Sequence, residues 1–228
     1  MYVHPAFQVH HATALAFAGA RGFGLVIACE GGRPVASPLP FRLIEANGQV
    51  PKLEFHVARA NELAGIAEKG GTWMVSVMGY DAYVSPDWYV SAEQVPTWLY
   101  ETVQLSGPVS VIPASHTLGH TERLSNQFEA GLAPKPVWTM DKVSERRLEM
   151  LSKAIVTIEM TVETVEGNFK LNQHKQDADH VAIAKKLNKQ FDHGAKAIAA
   201  RMVALRPHLD YGFPTSKSPA PALEPAAQ

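Results

Sequence analysis

The chain has 228 residues, of which 46% are hydrophobic and 19% charged, an ordinary globular balance with enough apolar material for a sizeable core. Its formal net charge of -1 gives no global attraction for nucleic acid, so such a role needs a local basic patch. The single cysteine excludes an internal disulfide, the opening MYVHPAFQVHH has no basic region followed by an apolar stretch, and no window approaches the roughly 20 apolar residues of a membrane span; a cytoplasmic protein is expected.

In chain order, VHHATALAFA (9–18) carries apolar residues at helical spacing, and Gly19, Gly22 and Gly24 then punctuate the chain before the strand FGLVIAC. Cys29, at the end of that apolar run, reads as a buried structural thiol. GGRPVASPLPFRLI supplies a Gly-Gly turn and a second strand. Pro38 and Pro40 cannot donate to a ladder, so this strand is expected at an edge or a bulge. KLEFHVARAN alternates through Leu53, Phe55 and Val57 as a third strand, and NELAGIAEKGG reads as a short helix ended by Gly70 and Gly71. TWMVSVMG is a fourth strand, and ETVQLSGPVSVI a fifth, bent at Gly107 and Pro108. Between them YVSPDWYVSAEQVPTWLY concentrates five of the ten Trp and Tyr residues together with two prolines.

Further on, Ser115 is placed to cap a helix through Leu118, Leu124 and Phe128, and residues 142–153 read as a charged helix. AIVTIEMTVETVEG alternates as one final long strand. From Asp177 to Leu205 a helical stripe runs through Val181, Ala184, Leu187, Phe191, Ala195, Ile198 and Met202, with a basic opposite face. The tail PTSKSPAPALEPAAQ has the composition of a disordered segment. These elements give an α+β chain: about six antiparallel strands forming a barrel, flanking helices and a C-terminal helix, organised as 1–175, 176–208 and 209–228.

Two places suit an anion. Arg59 and Asn61 stand where a strand gives way to a helix, a guanidinium and an amide beside unpaired helix N–H groups. The alternative is an Arg facing water and an Asn that merely caps the helix. In GNFKLNQHK, Lys170, Gln173 and Lys175, with Asn172 and His174 between them, suit a second polar clamp or a solvated turn. Ser37 offers a hydroxyl in ASPLPF. His116 and His120 lie four apart on one helix face, and His10 and His11 are adjacent, but a third ligand, an HExxH motif and paired cysteines are all missing, so no metal site is expected. No GxSxG elbow, Walker-type loop or GxGxxG loop occurs, which removes the usual hydrolase and nucleotide-kinase readings.

FHVARAN, YVSPDWY, VPTWLY with a following Gly-Pro strand, AIVTIEM and GNFKLNQHK stand in an order and spacing that resembles the PaiB-like family of FMN-binding negative transcriptional regulators, over residues 1–185. The resemblance implies the FMN-binding split barrel, a six-stranded antiparallel barrel that pairs into a homodimer with a flavin site at each end of the interface. It implies that Arg59, Ala60 and Asn61 hold the flavin phosphate and that Ser37 and the strand around Ser76 approach the ring. By the same resemblance Gln173 and Lys175 would reach the cofactor from the last strand, and Tyr83, Ser85, Trp88, Thr97 and Trp98 would lie over the ring or at the subunit boundary.

The chain departs from the family where members commonly show VPTWNY and KWKLSQNK, having Leu99, Phe169, Asn172 and His174 instead. If Leu99 replaces an amide that bonded ligand or partner, the pocket is more apolar. The functional expectation is a homodimeric FMN protein acting as a flavin-dependent redox protein, a negative transcriptional regulator or both, with the ring rather than an assigned catalytic side chain performing any transfer. Direct DNA contact would draw on Lys185, Lys186, Lys189, Lys196, Arg201 and Arg206. The alternatives are a haem-binding or haem-degrading split barrel using His10, His11, His56 or His174, and a cofactor-free regulator that binds DNA or protein.

Overall fold

The computed structural model describes residues 1–45 and 49–213; most of the tail expected to be disordered lies outside the described residues. Seven strands are described, β1 Phe23–Glu30, β2 Arg33–Ile44, β3 Lys52–Ala58, β4 Thr72–Val84, β5 Thr97–Val111, β6 Ile155–Thr161 and β7 Thr164–Lys170. The helices are α1 His11–Arg21, α2 Glu62–Glu68, α3 Thr117–Ala130, α4 Glu145–Lys153, α5 Asp177–Asn188 and α6 His193–Leu205. The strand order is β4-β1-β2-β3-β6-β5-β7, and a further pairing of β4 with β5 closes six strands into an antiparallel ring with β7 outside it. This is the expected split barrel. None of the described helices is long and apolar enough to cross a membrane.

The chain divides into two compact units, one of residues 18–77 and 104–165, the other of 1–17, 78–103 and 166 onward. In the first, strand-rich unit, Gly31 and Gly32 take φ of 56° and 81° at the β1–β2 turn, and pairing runs without a bulge from Glu30↔Arg33 to Phe23↔Pro40. The prolines therefore sit in a regular strand with neighbours on both sides in the sheet order, not in a bulge. The reason is a matter of edges. The Phe41 N–H donates to the Gly22 carbonyl, so odd-numbered residues of β2 direct their N–H groups at β1 and even-numbered residues direct theirs away. Pro34, Pro38 and Pro40 are all even. β3 pairs only with Phe41–Ile44, so their missing donors fall on a half-strand whose second edge has no strand partner among the described residues.

The alternation of β1 also corrects the reading of Cys29. Gly24, Val26 and Ala28 face inward, while Phe23, Leu25 and Cys29 are exposed. The seven-residue apolar run FGLVIAC suggests a buried thiol, but one face of its strand looks outward. Inside, Phe41, Leu53, Phe55, Val75, Ile158 and Met160 are fully buried. Gly107 permits a close backbone approach: a Cβ there would meet the Thr161 carbonyl oxygen at 1.7 Å. The expected single last strand is two, β6 and β7, interrupted at Val162 and Glu163. Ser115 lies in a 3-10 turn, Ala114–His116, and does not cap α3.

In the second, terminal unit, Leu99, Val103, Phe169, Leu171, Ile183 and Ile198 are buried, with the Phe17 and Phe169 rings edge-on at 4.9 Å. The stripe expected as one helix is two. α5 ends near Lys189, Phe191 is fully exposed, and Asp192 starts α6 by accepting from the Ala195 N–H at 2.7 Å. Arg201 of α6 pairs with buried Glu101 of β5 at 2.7 Å. His180 lies between the Asn172 carbonyl at 3.4 Å and the Met202 carbonyl at 3.0 Å, and burial lowers its pKa more than those carbonyls raise it.

Candidate functional site

The residues singled out in the sequence fall into three groups. At the β3–α2 turn of the strand-rich unit, Asn61 caps α2 by accepting from the Leu63 N–H, while its Nδ2 donates to Ser37 Oγ at 3.0 Å. Ser37 therefore keeps its own O–H to donate. Arg59 spends Nε and Nη2 on the Lys153 and Ile155 carbonyls at 3.0 and 3.1 Å, which fixes the guanidinium and leaves Nη1 without a hydrogen bond among the described residues. Ala60 lies in the turn between them. The capping role expected as the plain alternative is thus filled, yet two donors remain. Ser76 belongs elsewhere: it pairs with Leu25, whereas Ser37 pairs with Val26, so the two serines sit on opposite faces of the sheet.

In the terminal unit the aromatic stretch splits between two clefts. Tyr83, Trp88 and Trp98 line one of about 480 Å³, with Tyr83 and Trp98 edge to face at 5.9 Å. Thr97 and Lys175 line another of about 290 Å³, together with His4, Phe7, Tyr89, Gln94, Lys170, Asn172 and His174. Ser85 precedes the turn Pro86–Trp88 without a side-chain cap. Gln173 turns back on its own backbone, accepting from the Leu171 N–H and donating to the Phe169 carbonyl, and lines neither cleft. The expected clamp is therefore Lys170, Lys175 and His174 without Gln173. His4, Phe7, Tyr89 and Gln94 were missed; the motifs MYVHPAF and YVSPDWYVSAEQ hold them, but their spacing gives no hint that they converge.

The departures from the family pattern divide as well. Leu99 is fully buried and Phe169 nearly so, which places both in the core of the terminal unit. Asn172 and His174 line the 290 Å³ cleft.

A polar cluster that sequence reasoning did not assemble lies on the outer face of β3 beneath α3. His56 Nδ1 and His120 Nε2 are 3.1 Å apart, and His120 Nδ1 is 3.3 Å from Glu54 Oε2, which Arg42 and Arg123 also approach at 3.2 and 3.4 Å. Burial pushes both imidazole pKa values down, and for His56 the neighbouring His120 adds to it. Burial acts to raise that of Glu54, but His120 and Arg123 outweigh it and hold the carboxylate low. The i,i+4 pair His116 and His120 was visible; the long-range partner of His120 was not. Of the other histidines weighed for haem, His10 accepts from the Ala12 N–H through Nδ1. No group of three or more His, Cys, Asp or Glu among the described residues is arranged to hold a metal ion.

A ring of six antiparallel strands with peripheral helices defines a split-barrel protein. The family model described as "Putative FMN-binding domain" matches residues 1–164, and the chain belongs to that family. Among curated proteins it is 28% identical over 203 residues to "Protease synthase and sporulation protein PAI 2" of Bacillus subtilis (strain 168), covering 89% of this chain and 96% of that one. Among solved structures it is similar to a conserved hypothetical protein of Mycobacterium tuberculosis, with a TM-score of 0.54 and 8% identity over 77% of this chain and 94% of that one. It is also similar to an FAD and heme binding protein of Mycobacterium smegmatis, with a TM-score of 0.51 and 17% identity over 71% and 72% of the two chains. These likenesses support the split-barrel architecture and the PaiB-like resemblance.

Proposed function

We propose that the protein binds FMN as a homodimer and works as a flavin-dependent redox protein. The observation that carries this reading is the β3–α2 turn of a chain in an FMN-binding family: the Ser37 hydroxyl and Arg59 Nη1 stay free to donate while their neighbours are fixed by Asn61 and two backbone carbonyls. Oriented donors of that kind suit a dianionic phosphate, which gains most from charge-assisted hydrogen bonds. Bound flavin supplies the electron or hydride transfer. This chain's part is to hold the phosphate.

Pairing into a dimer is supported by the outer face of β1 and β2, where Phe23 and Leu25 are 43% and 41% exposed beside Pro38 and Pro40. The purified protein is expected to show a flavin spectrum, or to acquire one on adding FMN, and Arg59→Ala is expected to weaken FMN binding by roughly tenfold, about the worth of one charge-assisted hydrogen bond. A colourless protein that takes up no FMN would sink the reading, and an intense haem band instead would replace it.

Negative transcriptional regulation is a second reading, favoured by the relative named for protease synthase and sporulation, which the chain matches almost end to end. Of the six basic residues considered for DNA, Arg201 pairs with Glu101 and Arg206 with Asp177, which leaves Lys185, Lys186 and Lys196 exposed on two helices and Lys189 exposed just past the end of α5.

A further inference from the structure

The 290 Å³ cleft of the terminal unit has an unusual balance of charge. His4, Lys170, His174 and Lys175 line it, and among the described residues no carboxylate does. Lys170 donates to Thr97 Oγ1 at 2.5 Å and Lys175 to Gln94 Oε1 at 2.7 Å, so each ammonium still has donors to spend. The carboxylates nearest in sequence are engaged. Asp179 accepts from the Val90 and Ser91 N–H groups and the Ser91 hydroxyl, and Asp177 pairs with Arg206.

Asn172 supplies the second observation. It lines the same cleft, is fully buried, holds φ of 60°, and neither its Nδ2 nor its Oδ1 has a hydrogen-bond partner among the described residues. Tyr89 feels this amide without making a hydrogen bond of ordinary geometry to it. An amide left unpaired in a protein interior costs about 1–3 kcal/mol, and a strained backbone position adds to that. A buried amide of this kind calls for a partner, and a polar group entering the cleft would supply one. The remaining walls are flat: Lys175 lies over the Tyr89 ring at 5.2 Å, Lys170 over the Phe7 ring at 5.9 Å, and Phe7 meets His174 edge-on at 5.1 Å.

We propose that Phe7, Tyr89, Lys170, Asn172, His174 and Lys175 form a binding site for a small molecule with an oxyanion head on a flat unsaturated body. The lysines and His174 take the head, the Asn172 amide donates to it, and the two rings sandwich or border the body. The proposal is independent of flavin binding at the β3–α2 turn. The local field agrees with it. Burial, then Lys175, Lys170, His4 and Arg206, lower the His174 pKa, so the cleft disfavours a further positive charge. A bound anion offsets that repulsion, and linkage then requires affinity to rise as pH falls through the His174 titration.

The test is an NMR titration of the full chain with benzoate and, separately, phenyl phosphate, following the His174 imidazole signal assigned with His174→Gln. The expected result is a saturable shift with an upward move in the His174 pKa. Binding should fall by about tenfold or more in Lys170→Met/Lys175→Met, and severalfold in Asn172→Gly, which keeps the left-handed backbone; it should be unchanged in Arg59→Ala. Failure of both probes to saturate, or affinity equal to the parent protein's in both Asn172→Gly and the lysine variant, overturns the proposal. So does loss of FMN binding in the lysine variant together with displacement of FMN by phenyl phosphate, because the cleft is then the flavin's own. Should the lysine variant not fold, Asn172→Gly and the His174 pKa of the parent protein still decide.

Discussion

Leu99 shows what a single letter says and withholds. Read against a family pattern with Asn, it suggested an altered pocket; folded, its side chain is fully buried on β5 between exposed Trp98 and half-buried Tyr100. Leu99→Asn would bury an amide in place of an apolar side chain. It is expected to destabilise the protein by about 2–4 kcal/mol in denaturant unfolding. Unchanged stability with tighter FMN binding would instead return the residue to a pocket. Cys29 carries a similar lesson, since an unbroken apolar run does not reveal that one face of its strand looks out. The capping of α2 by Asn61 was legible because strand-to-helix turns have local chemistry, whereas its meeting with Ser37 of β2 was not. His4, Phe7 and Tyr89 were not, because their meeting with Lys170 depends on contacts more than 80 residues apart in sequence, which no periodicity encodes.

Helix α3 is where elements and titration meet. Its His120 packs on the outer face of β3 against His56 and Glu54, both imidazoles with folded pKa values below the ordinary 6.5. The unfolded chain takes up those protons first, so the neutral pair stabilises the fold above the ordinary value and that contribution is lost as pH falls below it. Glu54, held low, loses its own contribution further down, below its ordinary 4.5. Unfolding free energy is therefore expected to fall between about pH 7 and pH 5, with a flatter slope in His56→Gln and His120→Gln whatever their absolute stability. An identical slope in parent and variants would show that the pair does not titrate on unfolding. Most elements were readable from period and punctuation. Two were not: the β6–β7 break, where alternation continues across Val162 and Glu163, and the α5–α6 break, where the apolar stripe runs on through Phe191 while Asp192 caps a new helix.

For the molecule as a whole, the six-stranded ring was the secure inference, since six strand signals bounded by turns leave few other closed antiparallel arrangements. Assembly is less directly written. If the outer face of β1 and β2 is the dimer surface, Leu25→Glu places an uncompensated charge there and should weaken association by a hundredfold or more, about 3 kcal/mol, in sedimentation equilibrium. Sedimentation like the parent protein would move the interface elsewhere. The proline spacing of β2 has a consequence of another kind. Along the half-strand that no other strand covers among the described residues, positions 34, 36, 38 and 40 direct their backbone N positions away from β1, and three of those four are proline. A stray strand from an unfolded neighbour would find one N–H, that of Ala36, where a ladder offers four. The same residues that leave the native barrel undisturbed thus make that edge a poor template for aggregation.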